Sequence, residues 1–466
     1  MDGVTDPSLT TTKLSPARVV DRVTGVWRKP SVRSRATVIH YVSLGGALLF
    51  LLWTARHQWF SGDEWDFLVN RHVLGHHGLD LWEPHNEHWS TIPILIYRAL
   101  FSVFGVRTYL PYLLVLFGFH LMVAHLLWRL MLRVGVEPML ATAASAVFAV
   151  LGAGWEALVF AFNFTFMMPI AFGLLALLLM PDRGPFQRRD VYGWVFNVVG
   201  LLCSGVAITM VVVVGFTALL RRGWRVALLT VSVPALVYFV WFVLRGRHAE
   251  SVDQQPFTTA VQQAPAFVWR GLVGAVEGVT GLSGSGPVIL VLLAIWLVRS
   301  ARPFTPSWSV VLATALGAPL FLFLVDIRRS SLGVEQAAET RYSYVVVALL
   351  VPVAALASTA LIAGRPFRPY LLFGVTAALL LVGASSLAKN ANDPRARQAR
   401  KQNRIIAAAD FLRSGAPTVS DTPAPEFAAY LKSADLVALA RQGKLPGNVH
   451  VTESDRLTAA EFLQLR

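Results

Sequence analysis

The sequence predicts an all-α polytopic membrane protein, and three observations carry that prediction. Of its 466 residues, 55% are hydrophobic and only 15% are charged, with a mean hydropathy of +0.55. Apolar runs of roughly 15–22 residues recur along the chain, close to the ~20 that an α-helix needs to cross about 30 Å of hydrocarbon. Lys and Arg gather in the short connectors between these runs. That placement is the signature of cytoplasmic loops, so the net charge of +14 does not mark a nucleic-acid surface. A β-barrel would instead show short alternating segments.

In chain order, residues 1–36 form a basic segment (Arg18, Arg22, Arg28, Lys29, Arg33, Arg35) expected in the cytoplasm. The apolar run that begins near Thr37 lies far from the start and lacks a small-residue cleavage site, so it reads as an uncleaved anchor. About eleven spans follow from the apolar runs, at 37–55, 109–131, 138–154, 164–180, 191–204, 206–220, 226–244, 287–299, 307–325, 344–362 and 369–388. The runs at 191–204 and 206–220 are short and separated only by "CSG", which leaves one long span or a re-entrant pair as the other readings. Residues 91–106 are apolar but short and carry Arg98, as expected of a helix lying along the interface.

Alternate connectors hold Arg129 and Arg133; Arg183, Arg188 and Arg189; Arg221, Arg222 and Arg225; Arg299 and Arg302; and Arg365 and Arg368. The positive-inside rule then places the N-terminus in the cytoplasm and, with an odd number of spans, the C-terminus outside. The transmembrane domain runs over 37–388, with outer loops at 56–108, 155–163, 245–286 and 326–343. Residues 389–466 form a small extracytoplasmic tail, in which "NRIIAAADFLRSG" and the stretch from Ser433 to Gly443 carry helix start and stop signals. The single cysteine, Cys203, lies in an apolar run and reads as a packing residue.

The residues fit for chemistry all fall in the outer loops. Asp63, Glu64 and Asp66 in "SGDEWDFLVN" sit among Trp65, Phe67 and Leu68, which hold the backbone at headgroup depth. Partial desolvation there raises a carboxyl pKa and suits a general base, and Asp63 and Glu64 are the candidates. Against this stands the plain preference of acids for water beside a span. Six of the eleven histidines fall between 57 and 88, and "EPHNEHWS" supplies His85, Asn86, Glu87 and His88. With Asp66 and with Glu156 of the next outer loop, these form a polar surface for a hydroxyl-rich ligand. A divalent cation (Mg or Mn) on Asp63, His85, Glu87 and His88 is a further option of that donor set.

Arg245, Arg328, Arg329 and Arg341, with Tyr342, place positive charge on the outer side, against the orientation rule. Arginine grips phosphate oxygens bidentately, and a lipid phosphate lies at this depth. The competing reading pairs Asp326 with Arg328 or Arg329. His120 and His125, inside a span, read as satisfied packing residues or as an intramembrane functional pair.

The architecture resembles the GT-C superfamily of membrane glycosyltransferases. The shared features are the acidic pair Asp63-Glu64 after the first span, amphipathic helices over 64–106, and the Arg341-Tyr342 element opening a late span. The resemblance implies a polyprenyl-phosphate-linked sugar as donor and a glycan, lipid or protein of the cell envelope as acceptor. It further implies Asp63 or Glu64 as base, arginines on the departing lipid phosphate, and inversion at the anomeric carbon. The His-rich cluster and the short tail depart from the superfamily pattern. The alternatives are a transporter or flippase for a lipid-linked or sugar substrate, and a non-catalytic envelope-assembly subunit. The scarcity of charge within the spans argues against the transporter.

Overall fold

A computed structural model describes residues 32–71, 81–249, 256–365, 368–414, 430–447 and 449–463. Residues 1–31, which make up most of the basic segment, lie outside the described residues, as do His72, His76 and His77. Among the described residues every regular element is helical, apart from one isolated bridge between His85 and His88.

The first passage is α1 (Val32–Ala55), which begins five residues before the expected start. The short helix α2 (Thr91–Phe104) lies where an interfacial helix was expected. Next come α3 (Leu110–Val134) and the passage Pro138–Val159, made of α4 (Pro138–Ala149), a tight turn at Gly152–Gly154 and α5 (Trp155–Val159). Pro138 at the first position and the Glu137 side chain, which accepts from Leu140 N at 2.9 Å, fix the start of α4. The fourth passage ends in α6 (Phe164–Leu179), the most enclosed helix of the bundle.

The 191–220 region resolves into a hairpin of α7 (Arg188–Leu201) and α8 (Val206–Arg222). Arg222 at the end of α8 grips Asp190 at the start of α7 with two bonds of 2.6 and 2.9 Å. Both arms therefore begin and end on one side, and the chain returns to the level it left. At 14 and 17 residues the arms are shorter than the ~20 of a typical span, although α8 runs from the site end at Val206 to the opposite end at Arg221.

Then follow α9 (Trp224–Leu244), α10 (Phe257–Thr280), α11 (Ser285–Ser300), α12 (Pro306–Arg329) and α13 (Thr340–Ile362). Among the described residues, eight helical passages are long and apolar enough to cross a membrane, or nine if α10 and α11, bent by 107°, form one broken span. The expected count of eleven, which includes α7 and α8 as separate spans, is not confirmed by this length criterion. The expected outer loop at 245–286 contains α10, whose apolar face packs on α12 and α13.

The last passage belongs to α14 (Arg368–Arg413), which runs 46 residues without interruption, so the tail boundary at 389 falls inside a continuous helix. Its membrane part presses against the turn at Gly152–Gly154. A Cβ on Gly383 would meet Val150 O at 2.5 Å, and one on Gly152 would meet Gly383 O at 2.6 Å, so only glycine fits at this crossing. Beyond the bundle, α15 (Ser433–Arg441) and α16 (Glu453–Phe462) pack on α14. Lys444 then ties the tail to the end of α2 through Phe101 O at 3.2 Å and Ser102 O at 2.8 Å. The expected tail residues 415–429 lie outside the described residues.

Two features set up the site. The loop after α1, the start of α8, the end of α12 and the start of α13 meet at one end of the bundle. There α9 and α12 lean on α8 from two sides without packing along each other. At the opposite end, Arg133 and Arg221 bond to part-buried carbonyls, Arg133 to Leu177 O at 3.0 Å and Arg221 to Pro306 O at 2.6 Å. Arg133 thus also closes the end of α6.

Candidate functional site

A cavity of about 1390 Å³ opens at that end. Its polar head is lined by Asp63, His85, Asn86, Glu87, His88, Arg328, Arg329, Arg341 and Tyr342, so nine of the sequence candidates converge there. The rest of the wall is apolar. It follows one stripe of α8 through Val206, Val212 and Leu219, faced by Val231 and Phe239 of α9 and by Phe321 and Val325 of α12. From Val206 to Leu219 this stripe extends about 20 Å at 1.5 Å per residue. Since α9 and α12 do not close on each other, the cavity is a groove with α8 as its floor.

Local structure explains which acids face inward. Residues 66–70 form one wide π-turn, an element frequent at functional sites. Asp63 and Asp66, three residues apart, turn to the same side, while Glu64 points about 100° away. Glu64 is fully buried outside the cavity, where it accepts hydrogen bonds from Tyr97 Oη at 2.6 Å, Tyr109 Oη at 2.7 Å and Ser61 N at 2.8 Å. Burial outweighs these bonds and pushes its pKa up to about 7. The geometry does not favour the expectation of Glu64 as a catalytic base: it is held among tyrosines and does not line the cavity.

Asp63 is the accessible acid, with its side chain 45% exposed. Burial alone would raise its pKa, but His85 and the Arg341 guanidinium outweigh that and hold it below the usual carboxylate range. His85 Nε2 lies 3.7 Å from Asp63 Oδ2, an ion-pair separation, and its Nδ1 donates to Asp66 Oδ2 at 2.6 Å. Although burial opposes it, this pair of carboxylates raises the His85 pKa. Asp66 is itself buried behind His85 and does not line the cavity, so it orients the imidazole and does not touch a ligand.

His85 and His88 exchange both backbone bonds at 2.9 Å, closing a tight turn around Asn86. Asn86 has φ 49°, a left-handed conformation that asparagine tolerates well. The turn aims Glu87 at Arg329, which donates at 2.9 and 3.2 Å to its two oxygens. Burial opposes ionisation of Glu87, yet His88 and Arg329 lower its pKa. For His88, burial, His85 and the nearby arginines prevail over Glu87 and lower the pKa. Its Nδ1 would sit 2.8 Å from a Cβ at position 205, which is glycine.

The arginines differ in availability. Arg329 is engaged by Glu87, and Arg341 by Glu156 at 3.4 Å, with its guanidinium 5.3 Å over the Tyr342 ring. No carboxylate among the described residues lies within ion-pair distance of Arg328, which leaves its charge open to the cavity. Asp326 does not pair with Arg328 or Arg329, as the competing reading held. It is fully buried, and among the described residues neither of its oxygens has a partner. Glu156 stands behind Arg341 and does not line the cavity. Arg245 is excluded from the site as well, pairing with Glu83 at 2.6 Å on the exposed surface.

The divalent-cation option gains no support from the geometry: among the described residues no three His, Cys, Asp or Glu side chains converge as a metal site. His85 faces carboxylates at both nitrogens and Glu87 is spent on Arg329, so the four expected donors do not share a centre. His120 is a packing residue: Nε2 donates to Ala149 O at 3.1 Å and Nδ1 accepts from Tyr344 Oη at 3.0 Å. His125 Nδ1 lies 3.1 Å from His40 Nε2.

Sequence reasoning missed Arg71, whose Nε donates to Asp66 Oδ2 at 3.2 Å. It also missed Asn163, Ser204 and Tyr238, which line the cavity. Only Arg71 left a trace, five residues after Asp66 in a segment dense with charge. Protein-family models, curated proteins and solved structures were compared with the chain, and none matches it.

Proposed function

We propose that the protein is a membrane glycosyltransferase. In this reading it takes a sugar from a polyprenyl-phosphate donor and passes it to a glycan, lipid or protein acceptor at the extracytoplasmic face of the plasma membrane. The observation that carries the reading is the amphipathic cavity. One end gathers an ionised carboxylate and three arginines, and the other is a hydrocarbon-lined groove open between α9 and α12. A lipid carrying a phosphate-linked sugar has the same division. Arg328 offers its charge to the phosphate, flanked by Arg329 and Arg341. Asp63 accepts the proton of the acceptor hydroxyl as it attacks the anomeric carbon, and the lipid phosphate departs from the opposite face with inversion. Phosphate is already a good leaving group, so positioning, a base and fixed charge suffice.

In a reconstituted transfer assay, Asp63→Asn is expected to lose about 10²–10⁴-fold of the rate, and Arg328→Ala to lose donor affinity. Full transfer by both variants would overturn the reading. The buried, unpartnered Asp326 and the break between α10 and α11 favour a second reading as a transporter of the same lipid-linked class. Substrate accumulation in sealed vesicles without sugar transfer separates it from the first.

A further inference from the structure

Four side chains of alternating charge run from the protein interior to the cavity: Arg71, Asp66, His85 and Asp63. Arg71 Nε donates to Asp66 Oδ2 at 3.2 Å, His85 Nδ1 donates to the same oxygen at 2.6 Å, and His85 Nε2 lies 3.7 Å from Asp63 Oδ2. Side-chain exposure along this line is 10, 7, 3 and 45%, so only the last member can meet a substrate. We propose that Arg71, Asp66 and His85 are a positioning assembly that holds Asp63 with Oδ2 toward the imidazole and Oδ1 free to take a proton from the acceptor. The inference rests on the reading of Asp63 as the base.

The assembly is rigid at each joint. The π-turn bonds Arg71 N to Asp66 O at 3.1 Å, placing the guanidinium over the carboxylate. His85 is pinned by two backbone bonds to His88 and by the edge-on Phe67 ring, with centroids 5.0 Å apart. Asp66 on Nδ1 fixes which imidazole nitrogen faces the cavity, as carboxylates do for histidines that must hold one orientation. The Asn86 amide, with Nδ2 3.4 Å from Nε2, can turn its oxygen to the same N–H. The charged groups acting on Asp63 are His85, Arg341 and Asp66.

In the transfer step the acceptor O–H proton moves to Asp63. The freed oxygen pair bonds to the anomeric carbon, and the carbon–oxygen bond to the phosphate breaks with its electrons leaving on the lipid phosphate. His85 gains and loses no proton. It keeps Asp63 ionised before the step and aligned during it.

The test measures kcat and KM against pH in the reconstituted protein for His85→Ala, His85→Gln, Asp66→Asn and Asp63→Asn. His85→Ala and Asp66→Asn are expected to lower kcat about 10–100-fold, as misplacement of a reacting group does, with donor KM unchanged. In His85→Ala the acid limb of kcat/KM should move upward, because burial is then opposed by Arg341 without help from His85. His85→Gln, which retains an N–H donor, should recover part of the rate and keeps the test open if the alanine variant does not fold. A fall in kcat with the acid limb unmoved marks a merely structural role and overturns the inference, as does an unchanged kcat. Transfer surviving in Asp63→Asn sinks the underlying assignment of the base instead, an outcome read separately.

Discussion

Glu87 and Arg329 stand 242 residues apart in the chain and meet as a two-pronged ion pair, with contacts of 2.9 and 3.2 Å from one guanidinium nitrogen to both carboxylate oxygens. This pair fastens the loop after α1 to the end of α12 and so shapes the polar head of the cavity. Both side chains are mostly shielded, at 10 and 20% exposure. Glu87→Gln is expected to lower stability by about 2–3 kcal/mol, under the full cost of breaking a fully buried pair because some solvent reaches it. The double exchange Glu87→Arg with Arg329→Glu should recover part of that loss. Thermal unfolding in detergent measures both, and an unchanged midpoint in the single variant would contradict the role given to the pair.

Glu64 makes stability depend on pH with a definite sign. Its pKa rises from 4.5 to about 7 in the folded protein, so the folded state holds this proton more tightly than the unfolded chain does. Below pH 4.5 both states are protonated and Glu64 exerts no pull. Between 4.5 and 7 the unfolded chain releases its proton first, and stability falls by about 3 kcal/mol before levelling off. Glu64→Gln should flatten this slope while leaving transfer within a few-fold of the native rate, since the residue does not reach the cavity. Unfolding midpoints from pH 4 to 8 for the two proteins would show it, and a slope equally steep in the variant would rule Glu64 out as its source.

At the crossing of α14 with the Gly152–Gly154 turn, Gly383→Ala forces a methyl against Val150 O. The neighbour is backbone and cannot swing away, so a loss of about 1–3 kcal/mol is expected, as for other overpacked contacts. Protease sensitivity of the chain beyond Arg413 should rise with it. Retention of native stability and protection would mean that α14 can be displaced without penalty.

Sidedness can be read with thiol chemistry, because the sole native cysteine gives no background. Cys203 is buried, and burial pushes its thiol pKa up. Glu83→Cys, at the site end, should react with a membrane-impermeant maleimide on intact cells, and Arg183→Cys, at the opposite end, only after permeabilisation. The reverse pattern would place the cavity on the cytoplasmic face and remove an extracytoplasmic acceptor from consideration.

Long passages were legible in the sequence because apolar length is a one-dimensional property. Where length was borderline, the sequence left readings open: α7 and α8 carry the composition of spans at 14 and 17 residues, and the Asp190–Arg222 clasp shows that they double back as a pair. α10 escaped notice because Thr258, Thr259, Gln262, Gln263, Arg270 and Glu277, off its buried face, interrupt the apolar run in the sequence. In the site, the acidic and His-rich stretches were found by density alone, and the structure brings most of their members to one cavity. Adjacency misled for Glu64, since neighbours on a helix point about 100° apart. The spacing of Asp63 and Asp66 already held the better answer. The partners of Arg329 and Arg341 were not legible, because contacts across hundreds of residues leave no local pattern.

The unsealed seam between α9 and α12 has a consequence for how a ligand would be supplied. A molecule with a greasy end could slip in and out sideways while that end stays in the bilayer, so exchange would cost no transfer of hydrocarbon through water. Occupancy would then follow the ligand's mole fraction in the leaflet and its lateral diffusion. Diluting the carrier with bulk lipid at constant total amount should starve the protein as surely as removing it.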